Sequence, residues 1–333
     1  MNITDIKGIL SLLEVPKKIA IIPHRSPDGD AMGSTLGLYH LLLKLNHHPV
    51  VVSPNEFPAF LEWLPGSETV KIFEKNKTET TKILQEAELI FTLDFNALHR
   101  VGEMEFVLNK LATPFIMIDH HQKPDDYAAY TYSDTAFGST CEMLYNFISF
   151  LGHKDLIDKT IATCIYTGIV TDSGSFRFPA TTSTTHRIVA HLLELGVKNS
   201  EVHNLLFDNN SYSRLQLLGR ALQNLKLLPE HQVSYITLSQ EELDTFKYVK
   251  GDTEGIVNYG LTIKGIIFTA IFIEHKEEGI IKISFRSQGD FDVNQFARDH
   301  FSGGGHINAA GGKSNLSLEE TVNQFVAIVS KRN

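Results

Sequence analysis

The sequence predicts an α/β protein: a mostly parallel-sheet N-terminal domain, a helical connector, and a smaller α/β C-terminal domain. Three observations lead there. From Ile19 to about Ser173, short apolar runs of strand character alternate with amphipathic helical patterns, as in a sheet layered with helices. From Gln232 a second set of strand and helix patterns begins, after a stretch with little strand character. At 333 residues the chain also exceeds a typical single domain, so two hydrophobic cores are expected. The boundaries read this way are 1–182, 183–228 for the connector, and 229–333.

In the first domain the strand candidates are Ile19–Pro23, His48–Ser53, Glu88–Leu93 and Pro114–Asp119. Between the first two, Ala31 to about Asn46 reads as a helix whose Gly33 and Gly37, one turn apart, would let it lie close against the sheet. Gly138-Ser139-Thr140-Cys141-Glu142 opens another helix with capping-box spacing from Ser139 to Glu142, and Asp155 to about Thr171 is a largely apolar one. Helical patterns continue over His186–Leu195, Ser200–Phe207 and Ser211–Leu228. The second domain reads as strands Val233–Leu238, Gly265–Glu274 and Ile280–Arg286, with helices near Gln240–Tyr248, Asp292–His300 and Ser317–Lys331.

Ligands of parallel sheets collect at the carboxyl ends of strands, and there the sequence places its acids and imidazoles. After Ile22 comes Pro23-His24-Arg25-Ser26-Pro27-Asp28-Gly29-Asp30, one imidazole and two carboxylates in a turn. In an extended segment Asp28 and Asp30 would point the same way and repel unless a cation lay between them. The plainer alternative is an Asp28-Gly29 turn with Asp30 capping the helix. Three further clusters follow: Asp94 at the end of Phe91-Thr92-Leu93, Asp119-His120-His121, and Asp172 in Thr171-Asp172-Ser173-Gly174. An acid at a helix C-terminus opposes the helix dipole, and a nearby cation would relieve it.

Composition narrows the function classes. A hydrophobic content of 42% and a charged content of 21% are those of an ordinary globular protein. The net charge of −9 argues against gripping long duplex nucleic acid through a basic face, and leaves short phosphate-bearing substrates open. Cys141 and Cys164 lie in apolar patterns without paired spacing, so a disulfide framework is not expected and a reducing compartment is. The N-terminus, with Asp5, Lys7 and Glu14, fits neither a signal peptide nor a spanning helix, so the expectation is a cytoplasmic protein with no membrane partner. Only the apolar helices of the first domain prompt the expectation of a homodimer.

His-x3-Asp-x-Asp, a lone strand-end Asp, Asp-His-His and Thr-Asp-Ser-Gly, in this order, resemble the four motifs of the DHH phosphoesterase superfamily. Gly303-Gly304-Gly305-His306-Ile307-Asn308-Ala309-Ala310-Gly311, with Ser284-Phe285-Arg286-Ser287 before it, is similar to the associated DHHA1 substrate domain. Length and the wording Pro27-Asp28-Gly29-Asp30-Ala31 look most like the branch containing oligoribonucleases and 3′-phosphoadenosine 5′-phosphate phosphatases. Ser26 departs from that branch, where Asn is frequent, without removing a ligand.

The resemblance implies an active site in the cleft between the domains, with two divalent cations. His24, Asp28 and Asp94 would hold one, and Asp30, Asp94, His120 and Asp172 the other. It also implies that His121 faces the substrate phosphate and that Asp119 orients the histidines. Mixed imidazole and carboxylate ligation suits manganese, with magnesium or cobalt as substitutes. Arg286, Ser287, Gly304, Gly305 and His306 are the expected substrate-binding residues, an arginine fork and a glycine run suiting phosphate; Arg100 is a weaker phosphate candidate. The implied activity is hydrolysis of short oligoribonucleotides and dephosphorylation of 3′-phosphoadenosine 5′-phosphate. The competing expectations are a cyclic or linear dinucleotide phosphodiesterase, a pyrophosphatase or exopolyphosphatase, and a nucleotide-binding protein without turnover.

Overall fold

A computed structural model describes residues 6–331; Asp5 lies outside them, as do the outermost residues of both expected domains. The chain divides into two compact units between Asn209 and Asn210, inside the segment read as the connector.

The first unit carries six strands: β1 (Lys18–Pro23), β2 (His48–Ser53), β3 (Lys71–Ile72), β4 (Leu89–Leu93), β5 (Phe115–Asp119) and β6 (Tyr130–Ser133). Its helices are α1 (Ile6–Leu12), α2 (Gly29–Lys44), α3 (Lys77–Glu86), α4 (Glu105–Leu108), α5 (Thr140–Phe150), α6 (Lys159–Asp172), α7 (Ser183–Glu194) and α8 (Asn199–Phe207). The sheet order is β3-β2-β1-β4-β5-β6 and every pairing is parallel. Alternation along β1 explains the two layers: Ile19 and Ile21 enter one core with Phe91, Ile116 and Cys164, while Ala20 and Ile22 enter the other with Val52, Ile90 and Phe115. With both faces covered, β1, β4 and β5 admit no charged residue between the exposed Lys18 that opens β1 and their carboxyl ends, and Thr92 is the one polar residue among them.

Two expectations are corrected here. Gly33 does not bring α2 against the sheet; a Cβ there would lie 2.5 Å from the Cys164 carbonyl oxygen, so its absence lets α2 cross α6. The helix expected from Asp155 begins at Lys159, because the Asp158 side chain caps it by accepting from the Ile161 N–H.

The second unit carries α9 (Tyr212–Gln223), α10 (Gln240–Thr245), α11 (Asn258–Leu261), α12 (Val293–His300) and α13 (Leu318–Ser330). Its strands are β7 (Lys226–Leu228), β8 (Val233–Leu238), β9 (Phe268–His275), β10 (Ile280–Ser287), β11 (Gly304–His306) and β12 (Ala309–Ser314). They form a mixed sheet in the order β11-β12-β10-β9-β8-β7, parallel only between β8 and β9. Phe268, Phe272, Phe285, Phe296 and Phe325 build one core, so much of the chain's aromatic content is spent on packing. The helical pattern read to Leu228 stops at Gln223: Asn224 caps the helix and gives its side-chain N–H to the Thr237 carbonyl, and β7 follows. The glycine run is likewise a hairpin, β11 with β12.

Candidate metal centre

The sheet order reverses at β1, between β2 and β4, and the loops leaving β1 and β4 open the crevice where open sheets bind ligands. His24 follows β1. Its Nδ1 lies 2.9 Å from the Arg25 carbonyl, which turns Nε2 toward Asp94 Oδ2 at 3.4 Å and Asp28 Oδ2 at 3.9 Å. Asp28 is both cap and donor: Oδ1 accepts from the Asp30 and Ala31 N–H groups, while Oδ2 faces His24. Asp30 therefore lies in the first turn of α2 and not in an extended segment, so the premise that the two acids point the same way does not hold. They join different groups.

Asp30 is fully buried and faces the start of α5. The Thr140 and Cys141 N–H groups donate to its two oxygens at 2.6 and 2.9 Å, and the Thr140 hydroxyl donates to Asp94 Oδ1 at 2.9 Å. Sequence reasoning missed Thr140 and Cys141. The Ser139-to-Glu142 spacing was the available signal, and it is half fulfilled: Ser139 caps α5, but the Glu142 carboxylate accepts from Thr185.

Asp94 ends β4 with φ +65, a left-handed conformation that Asp adopts more readily than most residues. From there it reaches His24 with one oxygen and His120 Nε2, at 3.5 Å, with the other. His120 gives Nδ1 to the Phe137 carbonyl at 3.1 Å and points Nε2 at Asp172 Oδ2, 3.2 Å away, and at Asp30 Oδ2, 3.8 Å away. Asp119 holds His121 twice, through its backbone N–H and through Nδ1 at 2.7 Å. Within the first unit, donor atoms thus converge within 4.8 Å of one another in three groups: His24, Asp28 and Asp94; Asp30, His120 and Asp172; Asp94, Asp119 and His121. Arg100 is near enough that its charge, after burial, helps hold His121 well below its ordinary pKa.

The electrostatics demand positive charge. Burial would make His24 and His120 less basic, yet Asp94 with Asp28 at the first, and Asp172 with Asp94 at the second, hold both above the ordinary imidazole value. Burial and the Asp94 and Asp172 charges push Asp30 well up, while the contacts of Asp94 with His120 and His24 overcome its burial and hold it well down. Burial, reinforced by neighbouring carboxylates, raises Asp119 and Asp172 to about 6 each. A cluster that raises Asp30, Asp119 and Asp172 together with His24 and His120 is short of cationic charge, and oxygen and nitrogen donors at these spacings suit a divalent ion.

The substrate candidates of the second unit have their own geometry. Arg286 of β10 pairs with Ala309 of β12, which pairs in turn with His306 of β11, so one small residue separates the guanidinium strand position from the imidazole one. The Ser287 hydroxyl donates to the Phe291 carbonyl at 2.6 Å and accepts from Asn308, and the Gly305 N–H donates to Asn294 Oδ1 at 2.8 Å. Gly303 is required by the hairpin itself, since a Cβ there would collide with the Gly311 carbonyl oxygen.

Carboxylate and imidazole donors gathered at the switch point of a parallel sheet put the chain in the class of metal-dependent hydrolases. The family follows from comparison with known proteins. Residues 18–169 match the DHH family, N-terminal domain, and residues 232–332 the DHHA1 domain; the chain belongs to the DHH family of phosphoesterases, as its motifs led us to expect. It is 31% identical to the bifunctional oligoribonuclease and PAP phosphatase NrnA of Thermus thermophilus, over 96% of this chain and 91% of that one. The corresponding enzyme of Bacillus subtilis is 28% identical, over 92% of each. The crystal structure of an exopolyphosphatase-related protein from Bacteroides fragilis superposes with a TM-score of 0.93 at 39% identity, covering 97% of this chain and 95% of that one. No helix among the described residues is long and apolar enough to cross a membrane.

Proposed function

We infer that the chain hydrolyses very short oligoribonucleotides to mononucleotides and removes a phosphate from 3′-phosphoadenosine 5′-phosphate. The observation that carries this reading is the Asp94 carboxylate, with one oxygen toward His24 and the other toward His120, joining two donor groups. The T. thermophilus and B. subtilis relatives, named for both activities and matched along nearly the whole chain, support the substrate assignment.

In this reading His24, Asp28 and Asp94 hold one divalent cation and Asp30, Asp94, His120 and Asp172 a second, manganese being the ion that the mixed donor set suits best. When bound, the pair supplies charge that activates water and neutralises phosphoryl oxygens. The rest falls to the protein. Asp119 accepts from His121 Nδ1, so Nε2 carries the lone pair, and His121 donates to a phosphoryl or leaving oxygen only after taking up a proton there. The Asp94 charge favours that uptake; burial and Arg100 oppose it. Arg286 and His306 are the second unit's phosphate-binding candidates, the Ser287 hydroxyl and the Gly305 N–H beside Gly304 being engaged within that unit, and Arg100 serves an oxygen nearer the reaction. The overall acidity disfavours long strands, which need many cationic contacts.

The test is direct. With manganese, the purified protein should cleave di- to pentanucleotide RNA and release inorganic phosphate from the adenosine bisphosphate; inactivity on both, across several metals, overturns the assignment. The B. fragilis protein's description as exopolyphosphatase-related gives one competing substrate, polyphosphate, and turnover of it well above that of dinucleotides would favour that second reading.

A further inference from the structure

One residue beyond Asp172, after the right-handed Ser173, the backbone is left-handed at three successive residues, Gly174 (φ +56), Ser175 (φ +59) and Phe176 (φ +66). Glycine accepts this; serine and phenylalanine adopt it only where surroundings impose it. Part of the imposition is local. The Ser175 N–H reaches back to the Val170 carbonyl at 2.8 Å, the Phe176 N–H donates to Ser173 Oγ, and the Arg177 and Phe178 N–H groups share the Ser173 carbonyl.

The rest comes from side chains of α6, α7 and α8. The Phe176 ring lies 5.5 Å from His186 and 6.4 Å from Tyr166, and Ser175 Oγ lies 3.0 Å from His203 Nε2. His203 Nδ1 is 2.8 Å from the Asn199 carbonyl, which can only accept, so Nδ1 carries the proton and neutral Nε2 accepts from the Ser175 hydroxyl. A single acceptor from a helix some thirty residues downstream thus fastens the strained turn that closes α6, whose last residue presents its carboxylate to His120 at 3.2 Å.

We propose that Ser175 and His203 are a positioning pair: their hydrogen bond holds the left-handed turn that aims Asp172 at the group formed with Asp30 and His120. This rests on the reading of Asp172 as a cation ligand. Removing the latch frees the turn to relax toward ordinary backbone angles, and the carboxylate at the helix end moves with it.

The test is manganese binding to the full chain by titration calorimetry, which does not depend on turnover. His203→Ala and Ser175→Ala should each weaken one binding event about tenfold, the scale on which groups that orient ligands act. His203→Gln, which still offers an acceptor, should recover most of it. Ser175→Gly separates the latch from the strain: it loses the hydroxyl but accepts the left-handed φ, so it should melt higher than Ser175→Ala and bind manganese more tightly than Ser175→Ala does. Wild-type titrations for His203→Ala or Ser175→Ala, alongside a lost binding event in Asp172→Asn, would overturn the latch alone. A wild-type titration for Asp172→Asn would overturn the ligand reading beneath it, and the latch with it.

Discussion

The two units of this chain use glycine and charge in opposite ways. In the first, ionisable side chains are buried at strand ends and in a first helical turn, Asp119 and Asp30 completely, and each of these two is held by a neighbour that fixes its direction. In the second, the motif is made of residues without side chains: Gly303 permits two strands to meet, and the Gly305 N–H and Ser287 hydroxyl are engaged with Asn294 and Phe291. The first unit concentrates unfavourable charge so that a cation has something to relieve. The second supplies a closely packed scaffold on which Arg286 and His306 stand. A lesion in the first should therefore cost chemistry, and one in the second should cost structure.

The sharpest way to break that contrast is Asp94→Asn. Asparagine tolerates the left-handed backbone at this position, as alanine does not, so the substitution removes the shared charge without adding strain. Turnover should fall about 10³-fold or more, with the circular dichroism spectrum unchanged. Activity near that of the wild type would mean that the two donor groups do not act as one centre. The counterpart in the second unit is Gly303→Ala. Its Cβ would meet backbone, which cannot rotate aside, so the hairpin must shift at a cost of about 1–3 kcal/mol. We expect a lower urea midpoint with manganese affinity intact; an unchanged midpoint would show that the hairpin is looser than its packing implies.

How far the sequence foretold this follows from the same contrast. The donors of the first unit were legible because a doubly covered parallel strand excludes polar residues until its end, so His24, Asp94 and Asp119 stood out against apolar runs. Asp30 was legible as a residue but not as a conformation, since two acids two apart read the same in a strand or a first helical turn. Thr140 and Cys141 were illegible because their meaning lies in bonds to Asp30, over a hundred residues earlier in the chain. The hairpin of Gly303 to Gly311 had the composition of a turn, and only the register of β11 on β12 shows that its glycines are packing residues. Ser26 illustrates the intermediate case: its φ of +56 is one that asparagine, the residue the resemblance leads one to expect there, adopts more readily than serine.

The smallest expected effect concerns protons, and it tests whether the charge in the first unit is as unfavourable as its geometry says. Asp119 and Asp172 ionise near 6 in the folded protein and near 3.8 in an unfolded chain. Between those values the folded state binds more protons than the unfolded one, so each group's contribution to stability is full below about 3.8 and is lost as pH rises toward 6. The raised values of Asp30, His24 and His120 act in the same direction, and His121, held low, opposes them. Asp94 matters only in more acid solution, where its depressed value makes stability fall as pH falls. A divalent cation competes for the same carboxylates, so its binding must displace the protons on Asp172 and its affinity should fall below pH 6. The rise in melting temperature on adding manganese should accordingly be larger at pH 7 than at pH 5. Taking the difference with and without metal at each pH cancels the acidity of the rest of the surface. An equal or larger rise at pH 5 would mean that these carboxylates are already ionised in the folded protein, and that the first unit carries no such excess of negative charge.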